Sequence, residues 1–118
     1  RISNGRLLAG LGTGWTETEF KMTGIPFPPI AERLRMLDEA LTCIKSLWTN
    51  EKTTIEGEFY HLRDAILWPK PVQKPNPPIV VGGGGHAAVV IEAVRSTGRY
   101  RLLGFVDPRP SFVVYLGA

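Results

Sequence analysis

Apolar residues recur at Ile30, Leu34, Leu37, Leu41, Ile44 and Trp48, with steps that alternate between four and three. That period is one face of an α-helix. The charged residues Glu32, Arg33, Arg35, Asp38, Glu39 and Lys45 fall largely off it. Pro26, Pro28 and Pro29 exclude a helix before about Pro29, which suits a first helical position. Glu32 then lies in the first turn, where the positive end of the helix dipole favours a carboxylate. The preceding stretch "TETEFKMTGIPFPP" reads as a loop.

Shorter apolar runs predict strands. Leu7, Leu8, Ala9 and Leu11 form a nearly continuous run that ends in the glycine-rich "GTGW" of Gly12–Trp15. "TTIEGEFYHL" (Thr53–Leu62) predicts a β-hairpin turning at Glu56-Gly57. "WPKPVQKPNPP" (Trp68–Pro78) holds five prolines and must be an extended connector. It leads to the apolar "IVV" of Ile79–Val81, which runs into four glycines, Gly82–Gly85. His86–Ser96 then predicts a helix, with Ala87, Val90, Ile91 and Val94 on one side and Gly98 after its end. "YRLLGFVD" (Tyr100–Asp107) is a further buried strand, and "SFVVYLGA" starts another. The order β-α-hairpin-β-α-β implies an α/β architecture with parallel strands, in one small domain.

Composition narrows the function classes. The chain has 118 residues, 43% apolar and 21% charged, as in a soluble globular domain. Its net charge is +3, with Lys and Arg scattered rather than clustered. No nucleic-acid partner is therefore expected, and anionic small molecules remain suitable ligands. No apolar run is long enough to span a membrane, and no membrane partner is expected. Cys43 is the single cysteine, so an internal disulfide is impossible, which fits a reducing, cytoplasmic setting. Its expected role is that of a small, partly buried helical side chain. The first residue is Arg1 rather than Met, so the chain is expected to be processed, trimmed or part of a longer frame.

Two glycine-rich stretches follow strands, where α/β folds build ligand sites. Gly12 and Gly14 allow a sharp turn and close approach of a ligand to the backbone. Gly82–Gly85 before a helix would offer free N–H groups and a positive dipole end to a phosphate. The same stretch fits G-x-G-x-x-A at Gly82-Gly84-Ala87 or Gly83-Gly85-Ala88. Asp107 ends the next strand, where a ribose hydroxyl could be bound. Each glycine stretch is also readable as a plain tight turn. His86 near the helix start is expected to be neutral. His61 reads as a hairpin side chain, because no second His or Cys lies at metal spacing. Glu17 and Glu19 read as solvated loop charges. No complete acid–base set and no nucleophile elbow is identifiable.

Over about Gly5–Gly84 the motifs "GRLLAGLGTGW", "GIPFPP", "ERLRMLDEAL", "GEFYHL" and "PKPVQKPNPPIVVGGGG" stand in order. This stretch resembles the luciferase-like monooxygenase family. The resemblance implies a (β/α) barrel and an oxidoreductase that uses FMN or the deazaflavin coenzyme F-420. It implies that Thr13, Gly14 and Trp15 lie beside the cofactor ring or substrate, and that Gly82, Gly83 and Gly84 hold the cofactor phosphate. The stretch "GGGGHAAVVIEAVRSTGRYRLLGFVD" is instead similar to the nucleotide-sugar-binding start of the sugar O-acyltransferase family. That second resemblance implies a small Rossmann-like parallel sheet in which Gly82–Gly85 and Asp107 contact a UDP-sugar or other nucleotide. Pro108 stands where that family often has a second acid.

The expectation is thus a partial barrel segment over residues 1–81 joined near 82–85 to a Rossmann-like segment over 82–118. A full barrel takes roughly 200 residues or more, so the chain is expected to be a fragment, a truncated frame or a chimera. Its leading function is that of an oxidoreductase segment. A non-catalytic nucleotide-binding module and a ligand-free half-barrel are the alternatives. Open strand edges are expected to promote self-association.

Overall fold

The computed structural model describes residues 2–84, Glu92, Ser96, 101–106 and 112–117. The elements are β1 (Ala9–Gly12), α1 (Glu17–Thr23), α2 (Ile30–Thr49), β2 (Thr53–Glu56), β3 (His61–Ala65), β4 (Ile79–Gly84), β5 (Arg101–Val106) and β6 (Phe112–Gly117). The fold is α/β with both parallel and antiparallel strand pairs.

The long helix forms where the four-three periodicity places it. Leu37 and Leu41 are buried on it, with Leu34 and Trp48 beside them. They pack on Ile79 and Val81 of β4, with Ala9 and Leu11 of β1 at the margin. This cluster fixes α2 across the two strands. Pro29 is the N-cap rather than the first helical residue, and its carbonyl accepts from the N–H groups of Glu32 and Arg33. At the other end the last carbonyls need partners from outside the helix. Lys70, from the proline-rich connector, donates to the carbonyls of Leu47, at 2.7 Å, and of Asn50.

β1 and β4 are parallel neighbours, with Ala9 opposite Ile79 and Gly12 opposite Gly82. Parallel neighbours require a crossover, and the chain makes it through α2. β2 and β3 form the expected antiparallel hairpin as a separate two-stranded sheet. Its connection spans Gly57–Tyr60, and the N–H of Gly57 donates to the carbonyl of Tyr60 at 3.0 Å.

Three further expectations change. The stretch before Pro26 is not all loop, because Glu17–Thr23 is helical. Its acidic first turn, Lys21 in its last turn and Gly24 at φ 71° as its C-cap are all helix-end signals. It buries no residue, so no apolar period announces it.

The second difference concerns the glycines. Gly82–Gly84 do not turn; they complete β4. Gly82 pairs with Val113 and Gly84 with Phe112, with a register shift between them at Gly83.

Third, the sheet is not wholly parallel. Its order is β1-β4-β6-β5, and β6 runs antiparallel to both β4 and β5. The stretch 107–111 between β5 and β6 is too short for a crossover, so the two strands must be antiparallel. Of the predicted helix His86–Ser96, Glu92 and Ser96 are helical, and the remainder lies outside the described residues.

Candidate functional site

The register of β1 on β4 decides where the glycine-rich stretches meet. Gly12 lies directly opposite Gly82, at the carboxyl ends of two parallel strands. The turn Thr13–Trp15 therefore leaves β1 beside the end of β4, and two stretches some seventy residues apart become neighbours. Gly12 is exposed, and no side chain of its own screens its backbone from close approach.

Gly14 has φ 77°, a conformation that favours glycine, and a Cβ on it would stand 2.6 Å from the Phe20 ring. Trp15 follows with 82% of its surface exposed, while Thr13 is half-buried. The Thr13 hydroxyl donates weakly to the Gly14 carbonyl, at 3.4 Å. Thr16 is the N-cap of α1, and its Oγ1 is buried with no partner among the described residues.

The turn is held from behind by an arginine. Arg33, only 9% exposed, projects from the first turns of α2. Its Nη1 donates to the carbonyls of Gly14, at 2.5 Å, and Thr13, at 3.4 Å. Its guanidinium carbon lies 3.9 Å from the centroid of the Phe27 ring, and Phe27 meets Phe20 edge-on at 4.8 Å. Such a stack is worth roughly 0.5–2 kcal/mol. Arg33 Nε is buried without a partner among the described residues, and an unpaired buried donor costs about 1–3 kcal/mol. The helical period places Arg33 among the charges off the apolar face. A signal was nevertheless present, since 33, 37 and 41 are four residues apart and Leu37 and Leu41 are core.

α2 holds a second loop with the opposite charge. The Glu39 carboxylate accepts from the backbone N–H groups of Glu58, at 3.1 Å, Phe59, at 3.1 Å, and Tyr60, at 2.7 Å. Burial raises the pKa of Glu39, but the N–H groups of Tyr60, Phe59 and Glu58 and the charge of His61 outweigh it, so the carboxyl titrates below its ordinary value. A Cβ on Gly57 would overlap that carboxylate. Cys43 is buried, and desolvation, with the Glu39 charge, pushes its thiol pKa up. It is therefore not an activated nucleophile.

His61 is an exposed hairpin residue 3.5 Å from Glu56, in agreement with the sequence reading. No group of metal-binding side chains occurs among the described residues. Nor is any of their helices long and apolar enough to cross a membrane. The pairing of Gly12 with Gly82 thus brings the turn Thr13–Trp15 and Gly82–Gly84 to the same end of the sheet. Gly85, His86 and Asp107 lie outside the described residues.

The model of the family described as luciferase-like monooxygenase matches residues 1–102, and so continues past the four glycines. The chain is 35% identical over 88 residues to an FMNH(2)-dependent dimethylsulfone monooxygenase of Pseudomonas putida, covering 75% of this chain and 24% of that protein. It is 42% identical over 84 residues to an F420-dependent glucose-6-phosphate dehydrogenase of Kineococcus radiotolerans, covering 71% of this chain and 24% of that protein. Among solved structures it resembles the monooxygenase RslO1 from Streptomyces bottropensis, with a TM-score of 0.58 and 31% identity over 68% of this chain and 23% of that one. The chain spans about a quarter of the length of these relatives. The names of these relatives carry no nucleotide sugar.

Proposed function

The chain belongs to the luciferase-like monooxygenase family, and from that premise we propose that it supplies part of the cofactor site of a flavin- or deazaflavin-dependent oxidoreductase. The observation that carries the proposal is the pairing of Gly12 with Gly82. It brings the two glycine-rich strand ends together where α/β folds bind ligands.

The residues present fit such a cofactor. A flat ring needs uncovered backbone and an aromatic or apolar neighbour, which Gly12, Gly14 and the exposed Trp15 offer. A phosphate needs free N–H groups without a crowding Cβ. The register shift at Gly83 leaves that residue between the Gly82 and Gly84 pairs, where its backbone is the natural donor. We assign Thr13, Gly14 and Trp15 to the ring or substrate side, and Gly82–Gly84 to the phosphate. Gly85, outside the described residues, is assigned to the same phosphate from its place in the sequence alone. FMN and coenzyme F-420 are the two cofactors to test, because relatives bear names with FMNH(2) and F420 dependence. Bound and reduced, either one supplies hydride transfer or oxygen activation; the chain binds and orients it. β1, α2 and β4 then form one strand–helix–strand step of a barrel, in a cytoplasmic protein. Among the described residues the outer edge of β1 has no neighbouring strand, and self-association is expected through it.

Titration of the chain into FMN and into F420, followed by quenching of cofactor fluorescence, tests this reading. Saturable binding with Kd on the order of 1–100 μM is expected for one of them. Gly83→Val should weaken it roughly tenfold or more by placing a branched side chain at the phosphate. Absence of saturable binding to the unaltered chain would overturn the assignment.

A further inference from the structure

We infer that Arg33 is a positioning residue for the cofactor-side turn, fixing Thr13–Trp15 through its carbonyls rather than touching the ligand. The inference rests on the cofactor reading only for its functional consequence; the structural part stands by itself. Three observations carry it.

The first is what the guanidinium bonds. Its Nη1 reaches the carbonyls of Thr13 and Gly14, twenty and nineteen residues away, and these belong to the turn rather than to α2. A cation with five donors and no acceptor suits a turn that directs carbonyls inward. Among the described residues Arg33 has no carboxylate partner, so carbonyl dipoles and the Phe27 face are what its charge meets.

The second is how tightly the arginine is itself held. Phe27 lies under the guanidinium, Phe20 meets Phe27 edge-on, and the missing Cβ of Gly14 is what admits the Phe20 ring. Arg33, Phe27, Phe20 and Gly14 thus form a closed chain of contacts around the turn. Neither a lysine nor an apolar side chain reproduces it, because only a planar guanidinium can stack and donate together.

The third is Nε, which is buried with no partner among the described residues. A buried arginine with one donor unpaired is a poor packing residue, and a leucine would fill the core better. Its place on the stripe of Leu37 and Leu41 is explained by the turn it holds.

The test uses ¹⁵N relaxation of the full chain, alone and with cofactor. In the unaltered chain Gly14 and Trp15 should show order parameters near those of β1, roughly 0.85. In Arg33→Met, which keeps the stem and removes the donors, they should fall to roughly 0.6 or below while Leu11 and Val81 stay rigid. Arg33→Lys keeps charge and length and is the second variant should the first not fold; it should show the same loss. Guanidinium ion at low millimolar concentration should restore order at Gly14 and Trp15 in Arg33→Ala. Unchanged order at Gly14 and Trp15 in a folded Arg33→Met or Arg33→Lys would overturn the inference. FMN and F420 affinities are read on the same samples, with a tenfold or larger loss expected in the variants. Binding equal to that of the unaltered chain would overturn the functional consequence. Failure of the unaltered chain to bind either cofactor would overturn the proposed function and leave the relaxation result to decide Arg33 separately.

Discussion

α2 restrains two loops, and it does so by opposite means. At its first turns Arg33 donates to the carbonyls of Thr13 and Gly14. Six residues on, Glu39 accepts from the N–H groups of Glu58, Phe59 and Tyr60. The first loop lies beside the glycine strand ends and is held by a buried guanidinium that donates to its carbonyls. The second connects a separate hairpin and is held by a group that acid can neutralise. In each case a glycine makes room for the restraint, Gly14 for Phe20 and Gly57 for the Glu39 carboxylate. The distant loop thus hangs on a carboxylate that acid can neutralise, and the loop nearest the proposed chemistry on carbonyls bound by a stacked arginine.

Both restraints depend on the helix staying on the sheet. Leu41 is 1% exposed and central to the contact with Ile79 and Val81. Leu41→Ala should destabilise the chain by about 2–5 kcal/mol and loosen both loops together. Urea denaturation gives the loss, and equal loosening of the two loops by amide exchange would confirm their common support. Loosening of only one would break the comparison.

Gly14→Ala acts on the first restraint alone. An alanine at φ 77°, with its Cβ 2.6 Å from Phe20, should cost about 1–3 kcal/mol. The hairpin signals in an NMR spectrum should stay in place while those of Thr13–Trp15 move.

Acid should do the converse. A carboxyl with a depressed folded-state pKa contributes stability in full above its unfolded value of about 4.5, and loses it as pH falls through the folded value. The amide shifts of Glu58, Phe59 and Tyr60 should therefore titrate together below about pH 4.5, while those of Gly14 and Trp15 do not. Glu39→Gln should remove that titration. The smallest effect belongs to the surface pair of Arg35 and Glu58, at 3.2 Å and more than half exposed on both sides. Arg35→Ala should change stability by about 0–1 kcal/mol and leave both loops ordered.

Much of this frame is legible in the sequence, and the gaps have physical causes. The alternating four and three steps from Ile30 to Trp48 give α2. The β-branched and aromatic run from Thr53 gives the hairpin. The first half of β4 follows from a short apolar run, and β1 does so only from Ala9, since Leu7 and Leu8 of that run precede the strand and are exposed. α1 is hidden because a helix that buries nothing has no apolar period, and the nearby prolines favour a loop reading. The strand character of Gly82–Gly84 is hidden because glycine has no strand preference of its own; pairing with β1 and β6 imposes it. The placement of β6 between β4 and β5 is a tertiary outcome that no local pattern encodes.

The candidate site divides in the same way. Glycines after strands point to Gly12–Trp15 and Gly82–Gly84, but their adjacency depends on the register Gly12 opposite Gly82. Arg33 and Glu39 escape notice because a charged residue on a helix is ordinarily solvated. Only position marks them, Arg33 in step with Leu37 and Leu41, and Glu39 in step with buried Cys43.

In the proposed site the two glycine-rich strand ends serve one ligand together. An NMR titration of the ¹⁵N-labelled chain with FMN, and in parallel with F420, reads this out residue by residue. The predicted result is that amides of Thr13, Gly14 and Trp15 and of Gly82, Gly83 and Gly84 shift along one common saturation curve, while those of Glu58–Tyr60 stay still. Shifts confined to one stretch, or two curves with different midpoints, would contradict it.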